Sequence, residues 1–448
     1  MTYNTALKAR FDYLTKTQIP RLITSLAIPT IISMMVTNLY NMADTFFVGR
    51  ISTQATAAVG VVLSLMYFIQ SVGFFCGHGS GNYVSRKLGA GEIQEAQEMA
   101  STGFALAFIL GTIILVVGFA NLESLSIMLG ATETIINDTQ NYMRIILFGT
   151  PFMTSQIVIN NQLRFQGSAV YAMVGLVSGA VLNIFLDPLL IFVFNMGVTG
   201  AAVATIASQI VSFIILLIGS TKGANIRIHF HDIRLNSHYL LQIVNGGAPS
   251  LSRNGLTSVA GIILNHTAGT IGGDAAIAGM SVVNRVMLFA NSALIGFGQG
   301  FQPVCSYNYG ARLYDRVKDG YKFCVRYGTI FLSILALFSI IYSEEIVYFF
   351  RDDPEVIVIG SAALRWQMLT LPLNAMFMIS NMLLQSIGKG VRATIIASMR
   401  SGIFFIPVII ILSRLYGIFG VEIAQSCADV LSFIAALPIT LSVWRKMN

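Results

Sequence analysis

Long apolar runs separated by short polar segments make up almost the whole sequence. Each run is close to the roughly 20 residues that an α-helix needs to cross the hydrocarbon core of a membrane. Read against glycine, proline and charged positions, the runs predict twelve membrane-spanning helices. Their approximate bounds are 22–47, 55–79, 97–119, 138–160, 169–194, 197–219, 243–266, 276–303, 322–342, 357–383, 394–414 and 417–442. The pattern therefore predicts an all-α, multi-pass membrane protein with both termini on one side of the membrane.

The composition narrows the class of protein further. Of the 448 residues, 55% are hydrophobic and 10% are charged, whereas charged residues make up about 25% of a soluble domain. These values exclude an ordinary soluble enzyme, a disordered chain and a disulfide-rich scaffold. None of the four cysteines lies at metal-ligand spacing from another cysteine or from a histidine, and no nucleophile and base stand out as a pair. We therefore expect neither an enzyme nor a cofactor-binding protein.

Basic residues are distributed unevenly between the predicted loops. Most of the 27 Lys and Arg residues fall in the two tails and in alternate loops, with Arg164 and Arg400 counted among the loop residues. The opposite loops hold only Arg50, Arg351 and Arg414. Because cytoplasmic loops of membrane proteins are enriched in Lys and Arg, we predict an integral protein of the plasma (inner) membrane with both termini in the cytoplasm. The same enrichment accounts for the net charge of +7, so no nucleic-acid partner is expected.

The two halves of the sequence match each other at an offset of 220 to 221 residues. Pro29 aligns with Pro249, and the segment 77–90 aligns with 298–311. Two further blocks repeat in the same order, which indicates a duplicated unit of six helices. The chain is therefore predicted to form two pseudo-symmetric lobes around a central cavity, as alternating-access carriers do. The predicted domains are an N-lobe (1–220), a cytoplasmic linker (221–242) and a C-lobe (243–448).

Four polar side chains inside the predicted N-lobe helices form a candidate ion site. Asp44 is in the first helix, Asn183 and Asp187 are one turn apart in the fifth, and Thr205 is in the sixth. Asp44, Asp187 and Thr205 each lie roughly 9–12 Å inside the outer membrane boundary, so the group can meet at one depth. Two carboxylates, an amide oxygen and a hydroxyl suit a proton or a small hard cation such as Na⁺. In the alternative interpretation, Asp44 reaches toward Arg50 and Asp187 caps backbone freed by the following proline.

Further polar and methionine side chains are predicted to line a substrate cavity beside the ion site. They are Met34, Thr37, Tyr40, Gln156, Asn160 and Gln209. Methionine suits a promiscuous apolar site because it is flexible and polarizable, although ordinary packing is its alternative role in a chain with 19 Met. Pro29 removes one hydrogen bond from the first helix and is predicted to be a hinge, with a static kink as the alternative.

Five segments carry a family resemblance. They are NMADTFFVGR (41–50), SRKLGAG (85–91), LRFQGSAVYAM (163–173), VLNIFLDPLLIF (181–192) and GVTGAAVAT (197–205). Together they resemble the multidrug and toxic compound extrusion (MATE) transporters, especially their DinF-like and MepA-like branch. The resemblance implies a twelve-helix, two-lobe exporter driven by Na⁺ or H⁺ antiport. It also implies that Asp44, Asn183, Asp187 and Thr205 form the cation-coupling site.

The C-lobe lacks this set of residues. At the repeat offset, Asp44 falls on Leu264, so coupling is predicted to use the N-lobe alone. A separate buried ion pair is expected between Arg285 and Asp429, since both lie at similar depth in one lobe. Such a pair is structural or, alternatively, a second proton-coupling group.

The sequence as a whole predicts a secondary active multidrug exporter. It would antiport organic cations and other amphipathic drugs against Na⁺ or H⁺ by alternating access. The alternative is a flippase for a lipid-linked saccharide or another amphipathic lipid, which would be expected to place several Lys or Arg in its cavity; the sequence indicates only Arg144 there. The expected partners are small cationic or amphipathic substrates and membrane lipids, with the coupling ion in place of a cofactor, and the protein is expected to be a monomer.

Overall fold

The computed structural model describes residues 3–447, and the regular elements in this range are helical. The α-helices are numbered α1 to α16 in chain order. Their bounds are α1 Tyr3–Lys16, α2 Ile19–Gly49, α3 Thr53–Gly89, α4 Ile93–Ala120, α5 Leu122–Met128, α6 Ile136–Phe165, α7 Ala169–Pro188, α8 Gly197–Ser220, α9 Ser237–Gly310, α10 Tyr314–Ile341, α11 Ser343–Phe350, α12 Pro354–Thr370, α13 Leu373–Ser386, α14 Gly390–Ser398, α15 Phe405–Tyr416 and α16 Ile418–Trp444. Two π-helical turns, Leu189–Val193 and Met399–Ile403, follow α7 and α14.

Within the described range, ten helical segments are long and apolar enough to cross a membrane. Two features raise this number to twelve. Helices α12 and α13 pass the same test together, with a bend of 56° between them. The 74-residue helix α9 contains Gly273 at φ 62° and ψ −154°, a conformation that favours glycine, and this break divides α9 into two spans. The predicted all-α architecture of twelve spans is confirmed.

Several helices extend further than their apolar runs predict. Helix α3 continues to Gly89, and the second half of α9 continues to Gly310. These extensions are polar and rich in glycine, so hydropathy does not mark them as parts of membrane helices. The glycines allow close contact, because a Cβ at Gly89 would overlap the carbonyl oxygen of Tyr307 and one at Gly310 would overlap that of Arg86. The extended ends of α3 and α9 therefore join the two lobes.

The lobes share one hydrophobic core at the end that carries the chain termini. This core includes Leu14, Val84 and Phe301. Toward the opposite membrane face each lobe packs around its own core, with Leu147 in the N-lobe and Met280 in the C-lobe. The cleft between the lobes therefore opens toward the face opposite the termini.

Candidate functional site

The structure brings together the four side chains predicted to form an ion site. Asp44 lies on α2, Asn183 and Asp187 lie on α7, and Thr205 lies on α8; helix α7 packs against both other helices. All four side chains are buried, with a relative exposure of 0% for Asp187 and 8% for Asp44. Asn183 Nδ2 donates a hydrogen bond of 3.3 Å to Asp187 Oδ1. The two carboxyl groups are close enough to repel each other when both are charged.

The oxygen atoms of this cluster are short of hydrogen-bond donors. Oδ1 of Asp44, Oδ2 of Asp187 and Oδ1 of Asn183 are buried and accept no hydrogen bond in the part of the chain that the structure describes. Buried polar atoms in proteins are nearly always hydrogen bonded, and a buried carboxylate is costly unless a proton or a positive charge compensates it. The cluster can therefore supply oxygen ligands to a small cation or take up a proton.

Tyr142 of α6 is a further member of the cluster that the sequence reasoning missed. Its side chain is fully buried, lies beside Thr205, and is within electrostatic range of Asp44 and Asp187. Its hydroxyl group has no hydrogen-bond partner among the described residues. Because a buried tyrosine hydroxyl usually finds a partner, a lone tyrosine within a membrane helix was the signal that could have indicated it.

The alternative roles of the two carboxyl groups are not seen. Arg50 lies over the ring of Phe46, 4.5 Å from its centroid, and forms no ion pair with Asp44 within residues 3–447. The side chain of Asp187 receives a hydrogen bond from Asn183 rather than from nearby backbone. Both carboxyl groups are therefore available inside the N-lobe.

A cavity of about 110 Å³ adjoins the cluster in the N-lobe. Asn183 and Thr205 line it, so the cavity and the cluster are continuous. The six side chains predicted to line a substrate cavity are all on its wall: Met34, Thr37, Tyr40, Gln156, Asn160 and Gln209. Gln156 Nε2 donates to the hydroxyl of Ser212 over 2.6 Å, and Asn160 Nδ2 donates to a backbone carbonyl of α7 over 2.9 Å. The wall thus combines amide groups that are fixed by hydrogen bonds with a flexible methionine and an aromatic ring.

Arg164 is a wall residue of this cavity and not the loop residue that the sequence predicts. It lies in the last turn of α6 and is 2% exposed. Its guanidinium group donates hydrogen bonds to Gln299, to Asn161 Oδ1 at 2.5 Å and to His78 Nε2 at 3.3 Å. The missed signal was its spacing, because Gln156, Asn160 and Arg164 follow at intervals of four residues and share one helix face.

Basic side chains line the cavities in greater number than the sequence indicates. Arg164 lines the N-lobe cavity. Two more arginines, Arg253 and Arg400, line a second, larger cavity between the lobes. Arg144, predicted to be the one basic residue near the cavity, is exposed and lies on neither wall. The expectation of a cavity with almost no basic residues, which counted against a lipid flippase, is wrong.

The predicted ion pair between Arg285 and Asp429 is also wrong. Asp429 is fully buried and pairs with Arg400, with 2.8 Å between Nε and Oδ1, and Gln425 Nε2 donates to the same oxygen over 2.8 Å. Arg285 is exposed and forms no ion pair within the described residues. Arg400 lies within the predicted span 394–414 although the charge count assigns it to a loop, and the π-helical turn Met399–Ile403 that carries it packs against α16.

A sequence model of the MatE family matches residues 29–189 and 249–442, which is most of the chain. The chain belongs to the MatE family. Among curated relatives, the multidrug export protein MepA of Staphylococcus haemolyticus is 26% identical over 424 residues, which cover 94% of this chain and 93% of the relative.

Solved structures of MatE family transporters are similar over the whole fold. One is described as the outward-facing conformation of a multidrug resistance MATE family transporter of the MOP superfamily; it is 25% identical, with a TM-score of 0.91 and coverage of 97% of this chain and 98% of that one. Another, described as MATE in the bent conformation, has the same identity and TM-score and covers 98% of each chain.

Membership of the MatE family makes this chain an integral, multi-pass membrane transporter of the multidrug efflux class and not an enzyme. The resemblance noted in the sequence is confirmed, including its MepA-like character. The two-lobe arrangement of twelve helices is the one that the solved relatives share.

Proposed function

We propose that the protein is a secondary active exporter that antiports organic cations and other amphipathic drugs against Na⁺ or H⁺ by alternating access. The observation that carries the proposal is a buried cluster in which one carboxyl oxygen each of Asp44 and Asp187 has no hydrogen-bond donor, beside an amphipathic cavity. Asp44, Asn183, Asp187 and Thr205 are the proposed coupling residues. The names of the relatives, a multidrug export protein and a multidrug resistance transporter, support the class of substrate.

Competition for negative charge explains the coupling. A cationic drug in the N-lobe cavity is attracted by the carboxylates of Asp44 and Asp187 as long as they are charged. A proton or a Na⁺ ion that binds at the cluster neutralises them and removes this attraction. Since the cleft opens away from the termini, and the termini are proposed to be cytoplasmic, ion entry would favour drug release to the outside.

The first membrane helix gives the cluster a mechanical connection to the other lobe. Asp44 lies 15 residues beyond Pro29 on α2, which is about 22 Å along the helix. Around Pro29 the helix lies directly against α9, because a Cβ at Gly300 would overlap Ala27 and one at Gly296 would overlap Ile31. A bend at Pro29 would therefore move Asp44 relative to the C-lobe, and a bent conformation is described for a solved relative.

The proposed topology places the protein in the plasma (inner) membrane as a monomer, with both termini in the cytoplasm and lipid around the helices. One chain holds the complete cluster and its cavity, so no second copy is needed to build the site. The coupling ion is a transported species and not a resident cofactor.

Efflux of a cationic dye from proteoliposomes tests the proposed function. A Na⁺ gradient and a pH gradient are imposed separately, and protein-free liposomes measure leakage. One of the two gradients is expected to drive efflux against the dye gradient. Equal dye movement with neither gradient would contradict antiport, and activity that needs ATP would contradict a secondary carrier.

A further inference from the structure

The central cleft between the lobes forms a second cavity of about 780 Å³. Its walls come from α3 of the N-lobe and from helices of the C-lobe. The apolar part of the wall includes Tyr67, Phe68, Phe74, Leu288, Phe377 and Met378. Gln70 and Phe74 also line the N-lobe cavity, so the two spaces meet at Phe74.

Two arginine side chains lie near this meeting point, one from each lobe. Arg164 of α6 lines the N-lobe cavity and Arg253 of α9 lines the cleft. Arg164 is hydrogen bonded to His78, and Arg253 lies one helical turn after Ser250, whose hydroxyl is 2.9 Å from His78 Nδ1. The ring of His78 stacks on Phe74 with 5.4 Å between the ring centroids. We call this group, Arg164, Arg253, His78 and Phe74, the cleft floor.

No carboxylate pairs with either arginine in the described part of the chain. The hydrogen bonds of Arg164 go to the neutral side chains of Gln299, Asn161 and His78. The guanidinium group of Arg253 forms neither a hydrogen bond nor an ion pair within the described residues. Arg400, on the same cleft wall, differs because Asp429 neutralises it. The cleft floor therefore carries two positive charges without counter-charges.

The proposed cation site is too far away to neutralise Arg164. Tyr142, which belongs to the carboxyl cluster, and Arg164 are both on α6 and are 22 residues apart, which corresponds to about 33 Å along the helix. An arginine inside a membrane protein without a partner is costly and marks a functional position. The guanidinium fork also matches the geometry of carboxylate and phosphate oxygens.

We propose that the cleft floor binds the anionic group, a carboxylate or phosphate, of an amphipathic molecule. The apolar body of this molecule would pack on the aromatic wall of the cleft. Because Arg164 and Arg253 come from different lobes, the bound anion contacts both lobes and its affinity depends on their relative position. This inference rests on the proposed function, since it gives the same transporter a second class of substrate, opposite in charge to the first.

Equilibrium binding of short amphiphiles tests this inference. Radiolabelled octanoate, octyl phosphate and octyltrimethylammonium are titrated onto the full-length protein in phosphatidylcholine nanodiscs, with empty nanodiscs subtracted. Arg253→Gln removes the charge without removing a hydrogen bond within the protein, and Arg285→Gln is the matched control, an exposed arginine of the same lobe outside both cavity walls. We expect R253Q to weaken binding of both anions at least tenfold, R253K to weaken it less, and R285Q to change it less than twofold.

Nanodiscs that contain phosphatidylglycerol distinguish a lipid headgroup from a free amphiphile. If a lipid phosphate is the ligand, these nanodiscs weaken octanoate binding to the wild-type protein but not to R253Q; equal octanoate affinity in both lipids identifies the free amphiphile. Octanoate binding that is unchanged in R253Q, or a cation affinity that falls as much as the anion affinity, overturns the inference. No ion gradient is present in these measurements, so a failure of the proposed antiport leaves their outcome unaffected.

Discussion

Asn183 donates a hydrogen bond to one carboxyl oxygen of Asp187 and leaves its own amide oxygen, together with the second oxygen of Asp187, without donors. The bond fixes the orientation of both side chains on α7. The two free oxygens and those of Asp44 then form an acceptor-rich group that a proton or a cation can neutralise. The predictions for the coupling site follow from this arrangement.

Asp44→Asn and Asp187→Asn should each reduce gradient-driven efflux at least tenfold, while the protein still inserts and folds. Each change removes one carboxylate from the shared group but keeps the size of the side chain. Dye efflux from proteoliposomes measures the effect, and Glu133→Gln, which changes an exposed acidic residue of the same lobe, is the matched control. Near-normal efflux by both well-expressed variants would remove these residues from the coupling site. Leu264→Asp is not expected to restore activity to either variant, because its surroundings in the C-lobe lack the other ligands.

Pro29→Ala should preserve substrate binding but slow transport. Alanine restores the helix hydrogen bond that proline lacks, so α2 becomes harder to bend between the interlobe contact and Asp44. Equilibrium dye binding and the rate of dye efflux are measured on the same preparation. Pro438→Ala, in the interior of α16, is the control for replacing a proline in a membrane helix. If P29A and P438A give the same efflux rate as the wild type, the bend at Pro29 is static.

Efflux of a monovalent organic cation is expected to be electrogenic. Asp44 and Asp187 together can take up two protons, or one Na⁺ and one proton, for each drug cation. Two charges would then enter for one that leaves, and the membrane potential would add about 2.3 kcal/mol per 100 mV for the net charge moved. Proteoliposomes clamped with K⁺ and valinomycin allow the potential to be stepped at fixed ion gradients. An efflux equilibrium that does not move with the potential would indicate one ion for each drug molecule.

Arg400→Gln is expected to destabilise the protein by about 3–5 kcal/mol, because it leaves the buried carboxylate of Asp429 without its cation. Thermal unfolding in detergent measures the change. The double variant Arg400→Met with Asp429→Leu should recover most of the lost stability, since apolar residues can replace a buried ion pair at little cost. Arg285→Gln, the replacement of the partner that the sequence suggested, should leave stability unchanged. Wild-type stability of R400Q combined with a loss of proton-driven efflux would instead support a coupling role for Asp429.

Sequence alone is a good guide to features that depend on local spacing. The apolar runs predict the spans because the length of a membrane helix is set by the bilayer. Asn183 and Asp187 come together because residues four apart on one helix are neighbours. A repeated pattern likewise reveals two lobes without any knowledge of how they pack.

Features that depend on how helices pack against one another cannot be read from local spacing in the sequence. Arg400 rather than Arg285 pairs with Asp429 because the π-helical turn that carries Arg400 packs against α16. Arg164 is buried because the polar end of α6 extends into the contact between the lobes. In both cases the charge pattern assigns an arginine to a loop, although contacts with another helix hold it inside the protein.

The buried Leu264 stands at the position in the C-lobe that corresponds to Asp44 in the N-lobe. The two copies of the duplicated unit have thus diverged. Under the proposed mechanism, the N-lobe copy binds the coupling ion, while the C-lobe copy is free to specialise in substrate recognition. Substitutions on the C-lobe wall of the cleft can then broaden or shift the range of exported compounds without altering the number of ions used per cycle. Such a division would let selection by new toxic compounds act on one half of the gene while the energetics of the pump stay intact.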